Sequence, residues 1–231
     1  MNDRPKSPSA RASETEAVKE PVVFVVDDDL SMRRALTSLI QSVGLEVEAL
    51  GSATELLKGK LPEVASCLVL DIRLPGLSGL DLQTELARAN INIPIIFITG
   101  HGDIPMTVRA MKSGAVDFLT KPFRDQDLLD AIVRAIDRDR RRREADNAIA
   151  GLHSLYDTLS SREREVLGFV AAGLMNKQIA AELHLAEITV KIYRGHIMKK
   201  MQARSLADLI RMTETLGIRP AKPSGGPAGR L

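Results

Sequence analysis

Between residues 21 and 138 the chain alternates between two apolar patterns. Short runs of β-branched and apolar residues occur at Val22–Val26, Val47–Leu50, Cys67–Leu70, Ile95–Thr99 and Val116–Thr120. Runs of this length and composition read as strands buried on both faces. Between them, apolar residues step by three and four. Met32, Ala35, Leu36, Leu39, Ile40 and Val43 share one helix face. Leu80, Leu82, Leu86 and Ala87 share another, and Met106, Val108, Ala110 and Met111 a third, opened by Pro105 near its first turn. Leu128, Leu129, Ile132, Val133 and Ile136 mark the helix after the last strand. Strand and helix in regular alternation require a parallel sheet covered by helices on both faces. The predicted fold is α/β, a five-stranded doubly wound sheet in the order 2-1-3-4-5 over residues 21–138.

After Ile136 the pattern changes to "DRDRRRREADNA", a charge run of the kind found on solvated helix faces and linkers. The domain joint is placed here, as a charged linker over 139–152 that is either helical or flexible. From Leu159 onward only helical spacing appears, in segments near 161–172, 176–183, 187–201 and 205–215. A small all-α domain over 153–216 follows from that. Residues 1–20 mix Ser, Pro, Ala and charge without periodicity, and 217–231 are rich in Pro and Gly; both read as disordered tails.

Length and composition bound the rest. A chain of 231 residues, 44% hydrophobic, suits one or two globular domains. No run of apolar residues is long enough to span a bilayer, and the N-terminus has no apolar signal core, so a cytoplasmic protein is expected. The one cysteine, Cys67, lies inside a strand, which excludes a disulfide framework and fits a buried small hydrophobe. The net charge of +2 hides an asymmetry. Residues 21–128 hold 10 Lys and Arg against 14 Asp and Glu, whereas 151–231 hold 12 against 7. The basic back half suits a polyanion.

Candidate chemistry sits where ligands bind in open parallel sheets, beyond the carboxyl ends of the strands. The first strand, in "PVVFVVDDDLSMR", stops on Asp27, Asp28 and Asp29. The third ends on Asp71 in "CLVLDIRLPGLSG", the fourth on Thr99 in "IIFITGHGD", and Lys121 follows the fifth in "DFLTKPF". Carboxylates crowded on one partly buried rim repel and need a cation or a proton. Hard oxygen ligands with room for water suit Mg²⁺. Lys121 adds a second positive group, and the Thr99 hydroxyl can donate to an oxygen anion. Together these stabilise a phosphoryl group. Asp71, at the end of the central strand, is then the nucleophile that forms an acyl phosphate.

In order and spacing, "VVDDDLSMR", "LVLDIRLPGLSGLDL", "ITGHGD" and "GAVDFLTKPF" resemble the receiver domain of two-component response regulators, over about 22–138. The resemblance implies that Asp71 accepts a phosphoryl group from a histidine kinase. It implies that Asp27, Asp28 and Asp71 hold Mg²⁺ with the backbone carbonyl of Arg73, that Thr99 and Lys121 contact the phosphoryl group, and that the Lys121–Pro122 bond is cis. Phe118 takes the aromatic switch position: Thr99 moves toward the phosphoryl group, the ring enters the vacated space, and the face of the fourth helix and fifth strand is remodelled. Asp29 receives no direct role.

On the helix predicted over 187–201, Val190, Tyr193, Ile197 and Met201 form one stripe. Ile192, Gly195 and Lys199 lie opposite, flanked by Lys191 and His196. An apolar inner face with a basic outer one suits the major groove of DNA, and equally a small bundle with a solvated basic face. The segments "LSSREREVL", "AAGLMNKQIAAEL" and "TVKIYRGHIMKKM" resemble the LuxR/FixJ-type helix-turn-helix over roughly 155–215. That resemblance implies DNA contacts from Lys177, Thr189, Lys191, Ile192, Arg194, His196 and Lys199. The chain departs from the family pattern at "LAEITV", where Ala186 replaces a capping Ser, at Tyr193, where His is common, and at Gly195.

The whole chain thus resembles a FixJ/NarL-type response regulator. A transcription factor follows from the resemblance, with promoter DNA, RNA polymerase and, on phosphorylation, a second copy of itself as partners. It is not an enzyme beyond slow self-dephosphorylation. One alternative is a DNA-binding regulator indifferent to phosphorylation. Another is a haloacid-dehalogenase-type phosphatase, but there the nucleophile lies on the first strand and a cap domain is present, which "LDIRLPG" on the third strand does not match.

Overall fold

The structure, a computed structural model, describes residues 20–100 and 102–222. The tail predicted over 1–20 therefore lies almost wholly outside the described residues, as does 223–231. The front half runs β1 (Val22–Val26), α1 (Leu30–Gln41), β2 (Glu46–Leu50), α2 (Ala53–Lys58), β3 (Ser66–Asp71), α3 (Gly79–Arg88), β4 (Ile95–Thr99), α4 (Ile104–Lys112), β5 (Asp117–Thr120) and α5 (Asp125–Asp157). All strand pairs are parallel and the order is β2-β1-β3-β4-β5, as the alternating pattern predicts.

The pleat sends alternate residues to opposite faces. Phe24, Val26, Leu68, Leu70 and Phe97 pack with Leu56 of α2, Leu82 and Leu86 of α3 and Ala110 of α4. Val23, Val25, Cys67, Val69, Ile96 and Ile98 pack with Leu36 and Ile40 of α1 and Leu128, Ile132 and Ile136 of α5. Cys67 behaves as a small hydrophobe: burial, and then the charge of Asp139, push its thiol far above the ordinary range.

The register explains why one rim carries the chemistry. Val26 pairs with Leu70, Asp71 with Ile98, and Thr99 with Thr120. Asp71 and Thr99 are the last residues of β3 and β4, and Asp27 and Lys121 are the first residues after β1 and β5, so the four converge on one rim.

The charged stretch at 139–152 is helical throughout, inside the 33-residue α5. Ion pairs one turn apart, Arg140 to Asp137 at 3.3 Å and Arg142 to Asp146 at 2.9 Å, support it locally. Asp139 is the exception in this stretch. It is fully buried, and its Oδ2 accepts the Ser66 backbone N–H at 3.0 Å, tying α5 to the start of β3.

The chain divides into two compact units at Arg141/Arg142. The second contains α6 (Ser161–Ala171), α7 (Asn176–Leu183), α8 (Glu187–Lys200) and α9 (Leu206–Thr215). Leu159, Val166, Leu167, Ile179, Val190 and Ile197 are in its core, and Leu155 and Tyr156 from the end of α5 pack against it. His184 closes α7 in the left-handed region, φ 51°, and α8 starts three residues later. As the sequence predicts, Ala186 gives α8 no side-chain cap. The final described residues lie against this unit: Ile218 packs on its core, and the Ala221 N–H donates to Gly168 O at 3.0 Å.

Candidate functional site

The three aspartates that follow β1 have separate jobs. Asp27 is fully buried. Its Oδ2 accepts from Lys121 Nζ at 2.7 Å and its Oδ1 from the Asp29 N–H at 2.9 Å. Asp28 is exposed on the rim. Asp29 is the N-cap of α1, its Oδ1 accepting the N–H groups of Ser31 at 2.8 Å and Met32 at 3.4 Å. The sequence reading gave Asp29 no role; the sharp stop of β1 followed by a helical run was the signal for a cap. Arg33, also not singled out, reaches back past the start of α1 and donates from Nη1 to Asp27 O at 2.6 Å.

Asp71 is 8% exposed. Its Oδ2 accepts from Lys121 Nζ at 2.8 Å, and its Oδ1 accepts the Arg73 N–H at 3.0 Å. One ammonium therefore bridges two carboxylates. Burial pushes the Asp27 carboxyl up, and the bonds from Lys121 and Asp29 offset this only in part. Burial also opposes the charged form of Lys121, but its two carboxylate partners outweigh that and raise its pKa. The Lys121–Pro122 bond is cis.

Oxygens of Asp27, Asp28 and Asp71 lie within 4.8 Å of one another. Three hard donors, two buried and one facing solvent, fit a cation that keeps part of its water shell, as Mg²⁺ does. Arg73 lies two residues past the end of β3, with its N–H turned back to Asp71.

Thr99 is fully buried at the end of β4, and its carbonyl accepts the Lys121 N–H at 2.7 Å. Phe118 lies half-buried on β5, its ring centroid 6.4 Å from that of Phe97. It presses on Gly102: a Cβ built there would sit 2.8 Å from Phe118 Cε1. A side chain at this position would force the Phe118 ring to shift, a contact that sequence reading did not find.

In the helical unit, the residues assigned to DNA fall into two groups. Lys177, Lys191, Ile192 and Lys199 are exposed. Arg194 instead turns inward, donating from Nη1 to Asn176 Oδ1 at 3.0 Å and Leu174 O at 3.5 Å, and so ties α8 to α7. Thr189 is partly covered, and His196 is exposed with its Nδ1 3.8 Å from Glu163 Oε1.

Glu163 was missed within the charged run "SREREV". It is buried, forms a capping box with Ser160, and accepts from Lys200 Nζ at 2.7 Å, joining α6 to α8. Burial pushes its carboxyl up, but the bonds from Lys200 and Ser160 prevail and leave it below the ordinary carboxylate value. A carboxyl lowered on folding stabilises fully above its unfolded pKa and loses that contribution as pH falls through the folded one. Glu163→Gln is thus expected to cost about 2 kcal/mol at neutral pH, the scale of a charge-assisted hydrogen bond. It should also flatten the acid limb of the helical unit's stability. Thermal melts at stepped pH check this; an unchanged acid limb would refute it.

Residues 23–133 match the model of the response regulator receiver domain, and 157–213 that of the bacterial regulatory proteins of the luxR family. The chain is 74% identical over 204 residues to Nodulation protein W of Bradyrhizobium diazoefficiens, covering 88% of this chain and 90% of that protein. It is 43% identical over 201 residues to the transcriptional regulatory protein FixJ of Rhizobium meliloti, covering 86% and 98%. Among solved structures, the response regulator StyR superposes with a TM-score of 0.78 at 51% identity, over 84% of this chain and 98% of that one. Among the described residues no helix is long and apolar enough to cross a membrane. A receiver rim built on Asp71 and a helical unit of LuxR type, joined in one chain, place this protein among the response regulators, with a receiver domain and a DNA-binding domain.

Proposed function

We propose that the chain is a cytoplasmic transcription factor switched by phosphorylation of Asp71. The observation that supports this most is the single Lys121 ammonium held between Asp27 and Asp71 on the rim of the sheet. A carboxylate oxygen of Asp71 attacks phosphorus; the bond to the histidine nitrogen of a kinase breaks, and the nitrogen keeps the electron pair. Asp27, Asp28, Asp71 and the Arg73 carbonyl would hold Mg²⁺, which supplies charge neutralisation at the phosphoryl oxygens. Lys121 pairs with the new phosphoryl charge, and Thr99 donates to it.

The new charge draws Thr99, and Phe118 follows. The readout is the α4–β5 face, where Ile104, Val108 and Met111 of α4 are exposed one turn apart. A second copy covers that face, and a dimer presents two copies of α8 to paired half-sites in promoter DNA, where RNA polymerase is the further partner. The protein turns over no substrate; phosphate leaves Asp71 only slowly.

Intact mass after acetyl phosphate with Mg²⁺ is expected to show one added phosphoryl group, absent without the metal. Sedimentation of that species should show a dimer, and its affinity for promoter DNA should rise. Equal DNA affinity before and after phosphorylation would instead favour a regulator indifferent to the receiver's state.

A further inference from the structure

We propose that α8 reads thymine methyl groups through Ile188 and Ile192; this rests on the DNA-binding reading above. Ile188 is 63% exposed and Ile192 52%. At 100° per residue they stand one turn apart, with Gly195 and Lys199 on the same stripe, opposite the buried Val190 and Ile197. Single exposed aliphatic side chains are ordinary on any surface. Two stacked on the outward face of a helix that otherwise carries charge form an apolar strip.

Two of the longer polar side chains of α8 are engaged away from that strip. Arg194 is spent on Asn176 and the Leu174 carbonyl. Lys200 is spent on Glu163 and the Thr158 carbonyl, at 2.7 and 3.2 Å. The ammonium groups nearest the strip are that of Lys191, which flanks it, and that of Lys199, which ends the stripe two turns beyond Ile192; both are exposed and suit phosphates. At Gly195 an added Cβ would meet no atom within 4 Å, so the strip continues into an open notch that lets the backbone approach.

In the major groove every base edge offers donors or acceptors, and the one apolar group on the four bases is the thymine C5-methyl. An isoleucine pressed on any other edge would desolvate polar atoms without pairing them. The strip therefore selects thymine at two neighbouring positions of each half-site, where a helix bearing Arg or Lys would select guanine.

The test uses the full chain treated with acetyl phosphate and Mg²⁺ to enrich duplexes from a randomised library. Each thymine of the enriched site is then replaced by deoxyuridine, which removes only the methyl. Wild type, Ile188→Ala and Ile192→Ala are compared; both residues are exposed, so alanine leaves the core intact. Wild type is expected to lose about fourfold in affinity at one or two thymines, the effect of one methyl-sized burial. The matching alanine variant should lose nothing further there, because the two changes remove the same contact. Equal losses in wild type and in both variants at every thymine would overturn the proposal while leaving DNA binding standing. So would an enriched site in which no thymine methyl matters. Failure to enrich any duplex would overturn DNA binding itself, and this reading with it.

Discussion

Asp71→Asn is expected to take up no phosphoryl group from acetyl phosphate while keeping its fold. The substitution changes one oxygen into an amide nitrogen and leaves the volume of a site only 8% exposed. The amide nitrogen is not a nucleophile, and an amide in place of a carboxylate presents Lys121 with no charge. The Oδ1 that accepts the Arg73 N–H has its counterpart in the Asn carbonyl, so the turn after β3 persists. Asp27 keeps its own bond to Lys121 at 2.7 Å, so the ammonium remains compensated. Labelling should fall by at least about a hundredfold, the scale of losing a covalent nucleophile. An adduct of the same mass in the variant, at the same rate, would place the acceptor elsewhere.

Lys121→Met should have the largest effect on stability. Methionine replaces the stem of Lys121 but brings no charge, leaving Asp27 fully buried beside Asp71 without the ammonium that joins them. Removing one partner of a buried ion pair costs about 3 kcal/mol or more, because the remaining charge is desolvated and unpaired. Burial already raises the Asp27 carboxyl with Lys121 in place, which shows how little reserve this carboxylate has. Urea unfolding without divalent metal should show the loss in full. Added Mg²⁺ should recover more stability in the variant than in wild type, since a cation that binds only the folded rim stabilises it by mass action. An identical loss with and without Mg²⁺ would mean that the three carboxylates do not share a cation.

Most of the front half is legible in the sequence because parallel strands buried on both faces are nearly pure apolar runs. Any polar residue that ends such a run stands out, which is how Asp27, Asp71, Thr99 and Lys121 are found. What separates the three consecutive aspartates is not composition but the path of the backbone. Asp29 stands at the N-cap, extended at φ −78° and ψ 111°, and this turns its carboxylate onto the first turn of α1. Glu163 escapes notice for the opposite reason. Its neighbours are surface charges, and its burial depends on Lys200, far along the chain on α8. Arg194 looks like a DNA contact by position on α8, yet its guanidinium is engaged by α7, which a helical wheel drawn for one helix does not contain. Gly102 matters only because Phe118 of β5 comes to rest against it.

The middle of α5 has a consequence for how the molecule comes apart. From Glu144 to Gly151 every residue is exposed, so this part of the helix is held by intrinsic propensity and ion pairs without help from either core. A solvated helical stretch of that length is marginal by itself. Its amide hydrogens should exchange with solvent long before those of β3 or α8, through openings that leave both cores intact. Arg140 to Arg143 stand at the edge of this soft stretch. Among the described residues, trypsin is expected to cut there first and to separate two fragments, each carrying its own hydrophobic core.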